Sequence, residues 1–440
     1  MKIIMFGGDG YCGWPTSLYL AKRGFDVIIV DNLSRRQIDV ELGACSLTPI
    51  EPIQKRIAAW SKLQPRKPIR FENINIAQQG ERLRSFIACE QPDAVLHYAE
   101  QRAAPYSMKT SQHKQYTLGN NLLATFNLLE AVADSGKDTH FVHLGSMGVY
   151  GYFSRDTTVP EGYIEFETPG GNGNGSKFND KKRFLCQGSP ASIYHCTKMQ
   201  DAILFQFYNQ NNNMRITDLH QGVVWGTLTD ETRQDEALIN RFDYDGDYGT
   251  FINRFLLQAT IGHPITLYGK GGQCRPIIHI NDSMRSIELA LLNPPALGDG
   301  VHIYNQMTEV YQIRDIAEIV AAKTGAEIRH VPNPRIENED VRYSVNNSTL
   351  LSLGLKPTFI SDTLLDEVME VVRKHIDRCD TSTIMPRSKW RKDLSLEDTA
   401  ATSRSNRNQP ANVAREGARG SGKGSSKNDY VIDQSTVWLI

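Results

Sequence analysis

The chain has 440 residues, of which 40 % are hydrophobic, enough for one large two-lobed domain or two ordinary ones with a real core. Its 49 lysines and arginines nearly cancel its 50 aspartates and glutamates, which excludes a long-range field steering it to nucleic acid or an anionic membrane. No apolar run approaches the roughly 20 residues that span a bilayer, and the seven cysteines, with neither C-x-x-C nor metal-type spacing, point to reduced thiols and to no metal.

Met1 leads straight into the apolar strand KIIMF, leaving no room for a charged or Arg/Ser-rich leader, so a cytoplasmic protein is expected. Over the first two hundred residues, short β-rich runs (KIIMF, DVIIVD, PIRFEN, DAVLH, THFVHL) alternate with helical patterns such as 15–23 and 121–135. That alternation predicts βαβ units feeding a parallel sheet, a Rossmann-type doubly wound α/β fold. A Gly/Asn-rich interruption follows at 170–176, then a helix over about 192–211 and a strand, RITDLH, completing the sheet. From about Thr229 the pattern mixes short helices, turns and strands, including PIIHI, a helix over 313–324 and EIRHV. The expected layout is a cofactor domain over 1–228 with return segments near 276–310, and a smaller interleaved substrate lobe over 229–390. From 391 the chain is Ser/Gly/Asn/Arg-rich and too polar to offset the entropy of ordering, so a disordered tail is expected.

Gly7, Gly10 and Gly13 form G-x-x-G-x-x-G between the first strand and the first helix. In that setting the backbone passes close to a pyrophosphate seated on the helix N-terminus. Asp31 ends the second strand 18 residues after Gly13, where a carboxylate accepts from an adenosine ribose, so NAD is expected before NADP. Arg35 and Arg36 follow closely and offer the alternative of a 2′-phosphate. Candidate cofactor residues are these three glycines with Asp9, Tyr11, Cys12, Asp31, Asn32, Arg35, Asn75, Asn120 and Val224.

Tyr194 and Lys198, in YHCTK, share one face of the helix over 192–211 at i, i+4. An ammonium beside a phenol lowers its pKa, so a tyrosinate can take a sugar hydroxyl proton while hydride departs. Ser146, after the fifth strand, supplies a hydroxyl that shares the proton. Together with the glycine turn and Asp31, this set predicts a nicotinamide-dependent oxidoreductase centre.

These residues resemble the extended short-chain dehydrogenase/reductase superfamily of NAD-dependent epimerases and dehydratases, and within it the UDP-sulfoquinovose synthase family. The resemblance covers nearly all of residues 1–390. It rests on GGDGYCGW at 7–14, DNLSRR at 31–36, LGACSLTPI at 42–50, EQRAAPYSM at 100–108, LGSMGVYG at 144–151, IYHCTK at 193–198, QGVVWGTLTDET at 221–232, YGKGGQCR at 268–275 and VPNPRIE at 331–337. It implies UDP-glucose and sulfite, or a sulfite donor protein, as reactants, a tightly held NAD and a homodimer. It also implies a route through a 4-ketone and a 5,6-enone. His195 is the candidate additional proton shuttle, with a packing role as the alternative. Arg102, Gln221, Arg254, Arg275 and Arg335 are implied to hold the hexose and diphosphate.

Four departures stand out. Ser146 replaces the family's usual Thr, Val149 replaces the Glu of T-M-G-E-Y-G, and Asn75 replaces an Asp that holds adenine. Met147 and Gly148 occupy positions where 4,6-dehydratases carry an Asp-Glu pair. The rival readings are a 5,6-dehydratase, a 4-epimerase of a UDP-hexose, and a non-catalytic nucleotide-sugar sensor.

Overall fold

The computed structural model describes residues 1–151, 157–168, 180–337, 342–362, 364–386, 388 and 390. The Gly/Asn-rich stretch at 170–176 and the polar tail from 391 lie outside them. Within Met1–Lys392, a single compact unit, the frame is a seven-stranded sheet. Its first five strands in sequence are β1 (Lys2–Phe6), β2 (Asp26–Val30), β3 (Arg70–Glu72), β4 (Ala94–His97) and β5 (His140–Leu144). Across the sheet the order is His302–Gln306, Ile216–Gln221, β5, β4, β1, β2, β3, and every pairing is parallel.

The alternation of each strand sorts its side chains to two cores. Ile3, Met5, Val27, Ile29, Leu96 and Val142 join Trp14 and Leu18 of helix α1 (Gly13–Lys22) on one face. Ile4, Phe6, Ile28, Val30, Val95 and Phe141 pack on Leu83, Leu128 and Phe205 on the other. The sheet is therefore doubly wound, as its periodicity requires. The helix expected over 121–135 starts ten residues earlier, as Ser111–Asp134, with the Thr110 side chain accepting from the His113 N–H. Its first turns are polar and largely exposed, so hydrophobic periodicity does not announce them.

The chain leaves the sheet after Gln221 to build a second core around Trp225, Phe242, Tyr244, Phe255 and Ile265. Here Cys274–His279 pairs with Val223–Trp225 on one side and Glu309–Gln312 on the other, and Ile265–Tyr268 pairs with Ile328–Val331. Between these pieces, helix Ile280–Leu292 and strand His302–Gln306 return to the main sheet. This interleaving ties the second lobe to the carboxyl ends of the parallel strands, where open α/β sheets place their ligands. No helix among the described residues is long and apolar enough to cross a membrane.

Candidate active site

The turn after β1 is tight because its glycines allow nothing else. Gly7 has φ +84°, and a Cβ on it would lie 2.7 Å from the Tyr98 carbonyl; one on Gly13 would lie 2.2 Å from the Gly7 oxygen. Any side chain here would force the strand-to-helix turn apart. Helix α1 begins at Gly13 with no side chain capping its first N–H groups, leaving donors and the positive end of the dipole for an anion. Asp31 accepts from the Asp9 N–H at 2.9 Å and from the Leu33 N–H at 2.7 Å. Burial, with Asp9 adding to it, raises Asp31 to about 6. A dinucleotide fits this cradle: a glycine floor a Cβ would fill, open helix donors, and a carboxylate at the ribose position. Asp9, Gly10, Tyr11, Cys12, Asn32, Arg35, Asn75 and Asn120 line the same cavity. An Asx turn, from the Ala77 N–H to Asn75 Oδ1 at 3.2 Å, holds Asn75 on its wall.

Two sequence expectations change. Val224 lies not in this cavity but in the adjoining one, packed beside Tyr11 and Cys12, because the strand that carries it belongs to the second lobe. Arg35 reaches the cavity wall, yet its guanidinium pairs with Asp39 and Asp243 and stacks 3.7 Å over the Tyr248 ring. Arg36 is likewise clamped on Asp9, at 2.6 and 2.9 Å, with buried Arg56 bound to the same carboxylate. Neither arginine is free to receive a 2′-phosphate, and Asp31 would repel one.

The second cavity lies under the smaller lobe and shares Tyr11, Cys12, Arg102, Tyr194, Gln221 and Tyr248 with the first. Tyr194 thus stands at the junction. It rides on helix Ile193–Asn212, whose N-cap Ser192 accepts from the His195 N–H at 3.2 Å. Burial raises the phenol pKa, while Lys198 and a hydrogen bond with Ser146 work against that rise. Without a bound cofactor, burial outweighs the acidification expected from the i, i+4 lysine. Ser146 Oγ also accepts from the Gly148 N–H at 3.0 Å, which fixes the turn after β5.

Lys198 is 4 % exposed and held by groups the sequence reading passed over. Its ammonium lies 2.8 Å from Glu100 Oε2, 2.9 Å from His143 Nε2 and 2.8 Å from the Leu144 carbonyl. His97, Glu100 and His143 bring ligand atoms within 4.8 Å of one another, and the cation the protein supplies beside them is that ammonium. The signal was present: in strands buried on both faces, the polar residues His97, His143, Asp218 and His220 interrupt runs that should be apolar.

His195 faces the second cavity because position 148 is glycine. A Cβ there would stand 2.1 Å from the His195 ring carbon Cδ2 and 2.4 Å from Nε2, so the imidazole occupies the space a side chain at 148 would take. Burial, then Arg335 and Arg275, lowers its pKa to about 4, leaving a neutral base at physiological pH. Val149 lines neither cavity; it packs with Val159, Cys186 and Tyr343. In this chain, position 149 therefore points away from the site, so the valine that stands in place of the Glu of T-M-G-E-Y-G does not reach either cavity.

The remaining substrate candidates surround the same cavity. Arg254 donates to the Tyr268 hydroxyl at 2.9 Å, and its buried Nε has no protein partner. Arg275 pairs with Glu337, Arg335 stacks 5.7 Å from the Trp390 ring, and Arg102 binds Asp243 at 2.8 Å. Gln221 donates from Nε2 to Ser283 and Gln306 at 2.8 and 2.9 Å, so only its Oε1 remains as an acceptor for a ligand. Guanidinium groups around one mouth suit a diphosphate.

Residues 3–305 match the family model described as the NAD dependent epimerase/dehydratase family. The chain is 43 % identical over 399 residues to the chloroplastic UDP-sulfoquinovose synthase of Spinacia oleracea, covering 89 % of this chain and 79 % of that one. It is 36 % identical over 408 residues to the UDP-sulfoquinovose synthase of Sulfolobus acidocaldarius, covering 89 % and 98 %. Among solved structures, the UDP-glucose 4-epimerase of Thermotoga maritima with UDP-glucose superposes with a TM-score of 0.62 at 19 % identity, over 86 % of this chain and all of that one; at that identity the likeness is one of fold.

Proposed function

The chain belongs to the NAD dependent epimerase/dehydratase family, and from that premise we propose that it makes UDP-6-sulfoquinovose from UDP-glucose and sulfite, the sulfite arriving free or from a donor protein. The observation carrying this reading is Tyr194 at the junction of a dinucleotide cradle and an arginine-rimmed cavity that also holds a neutral imidazole. The two synthases of which the chain is 43 % and 36 % identical relatives support it.

NAD, held by the turn at 7–13 and by Asp31, supplies a place for the C4 hydride to go and return from. The protein's part is to move protons. Tyr194, as phenolate, takes the C4 hydroxyl proton, and Ser146 steadies the oxygen. The resulting ketone acidifies the C5 proton. His195 Nε2, neutral and facing the cavity, is suited to take that proton and deliver it to the departing C6 oxygen, so one proton serves both ends of the elimination. The first proton having left with the water, sulfite then adds at C6 as bisulfite, whose own proton reaches C5 through the same imidazole, and Tyr194 returns the C4 proton. Arg254, Arg275 and Arg335 are placed for the diphosphate, Arg102 and Gln221 for the hexose.

A dimer is part of the proposal. The helices Ser111–Asp134 and Ile193–Asn212 pack on each other and leave Leu123, Phe126, Ile203 and Phe207 each more than 40 % exposed. A cytoplasmic setting accords with seven free cysteines.

Incubation with UDP-glucose, with and without sulfite, followed by mass spectrometry of the nucleotide sugars, tests the reading. The expected product is heavier by the exchange of hydroxyl for sulfonate and is absent with Tyr194→Phe. Loss of water alone would assign a dehydratase, and unchanged mass with inverted C4 an epimerase.

A further inference from the structure

Behind Lys198 lies a buried polar chain that the chemistry above does not use. His143 on β5 is fully buried. Its Nδ1 lies 2.8 Å from Asp218 Oδ1, and since the carboxylate can only accept, Nδ1 carries a hydrogen. Its Nε2 sits between two groups with opposite demands: Glu100 Oε1 at 3.0 Å requires a proton on Nε2, and the Lys198 ammonium at 2.9 Å requires a lone pair. One site therefore offers two proton positions 2.9 Å apart, Lys198 Nζ and His143 Nε2.

We propose that His143, clamped between Asp218 and Glu100, is a proton store that charges Tyr194 through Lys198. The store rests on the proposed oxidoreductase reading of this site but adds a positioning group to it. Before oxidation, in molecules whose Nε2 is vacant, the Tyr194 phenol proton passes toward Lys198 across the cavity they share, and one ammonium proton crosses to His143 Nε2. Tyr194 becomes phenolate, Lys198 remains ammonium and His143 becomes imidazolium; no proton enters or leaves the protein. When Tyr194 has taken the substrate's proton, the stored one is still held for the return half of the cycle.

The charge balance favours such a store. The groups facing His143 are Glu100 and His97 from the β4 side, Lys198 and Asp201 from the helix Ile193–Asn212, and Asp218 from the strand Ile216–Gln221. Asp218 also binds His220, at 3.0 Å. Burial raises Asp201 well above the carboxylate range and lowers His97 to about 3, so both are neutral. Two carboxylates, Glu100 and Asp218, then face one ammonium, and an added proton on an imidazole restores neutrality in a water-free interior. Burial and Lys198 push His143 down, but Asp218 and Glu100 push it up by more, to about 8.

Two measurements test the store. The first needs no turnover: nitrogen NMR of 15N-histidine-labelled protein, with His143 assigned by its loss in His143→Gln. Nδ1 should stay protonated from pH 6 to 10 while Nε2 loses its proton within that range. An Nε2 that does not change, or an Nδ1 that titrates, overturns the store even if no nucleotide sugar is ever turned over. The second is the pH profile of bound-cofactor reduction by UDP-glucose in Asp218→Asn and His143→Gln. With the store removed, the phenol must ionise unaided, so the rate should fall most, about 10²-fold, near pH 8, where Nε2 of the unmodified protein becomes vacant, and converge on the unmodified protein at high pH. A loss of the same size at every pH, or a rise in KM alone, would mark a structural role and overturn the proposal.

Discussion

At position 148 the absence of a side chain has a chemical effect. Its glycine lets the His195 ring stand where a Cβ would be 2.1 Å from Cδ2, so a carboxylate at this place and an imidazole from the neighbouring helix are mutually exclusive. In the proposed function, the proton of the elimination can thus be moved by a group at 148 or by His195, but not by both. Gly148→Ala should displace the ring and lower formation of the sulfonated product by 10²-fold or more, the usual yield of a general acid-base group. Reduction of bound cofactor by UDP-glucose, which uses Tyr194 and Lys198, should remain within a few-fold. Comparing a single-turnover absorbance trace with product mass spectrometry checks this; equal losses in both would mean that His195 packs rather than reacts. Because its pKa is lowered to about 4, the His195-dependent step should lose rate only as pH falls toward that value.

Among the elements, the strand ends and the turn after β1 were legible in the sequence because each carries a local signature. The glycine spacing, Asp31 at the end of β2, and Tyr194 with Lys198 on one helical face all follow from chain geometry over short distances. Partners supplied from far away were not legible. Asp243, which binds Arg35 and Arg102, lies 208 and 141 residues from them, and Glu100 meets Lys198 because β4 lies beside β5, whose Leu144 carbonyl holds the same ammonium of the helix Ile193–Asn212. The clamped arginines lead to a prediction for the β2 end. Asp31→Asn should weaken NAD retention at least tenfold, by loss of a charge-assisted acceptor, without admitting NADP, because Arg35 and Arg36 stay bound to Asp39, Asp243 and Asp9. Cofactor released on heat denaturation, identified by chromatography, decides this; substantial NADP binding would show that the arginine clamps are weaker than their geometry implies.

For the whole molecule, one helix has two duties. The N-terminal end of Ile193–Asn212 carries Tyr194, His195 and Lys198 into the site, while farther along it exposes Ile203 at 57 % and Phe207 at 55 %. Beside them, Leu123 and Phe126 of Ser111–Asp134 are 50 % and 41 % exposed. Their i, i+4 and i, i+3 spacings put each pair on one helical face. Fully burying such a side chain is worth about 1.5–3 kcal/mol, and since these are about half exposed, the twofold contact of the proposed dimer would gain roughly half of that from each. Ile203→Glu combined with Phe207→Glu should therefore convert a dimer to a monomer by light scattering, since four like charges would face one another across the contact. NAD should stay bound, because the glycine turn and Asp31 that hold it lie on other elements. Turnover should fall several-fold as the helix loses its brace, with the Tyr194 pH profile unmoved. If the unaltered chain is itself monomeric, the strip is not a self-association surface, and the catalytic helix is steadied by the core that its own Phe205 and Tyr208 join.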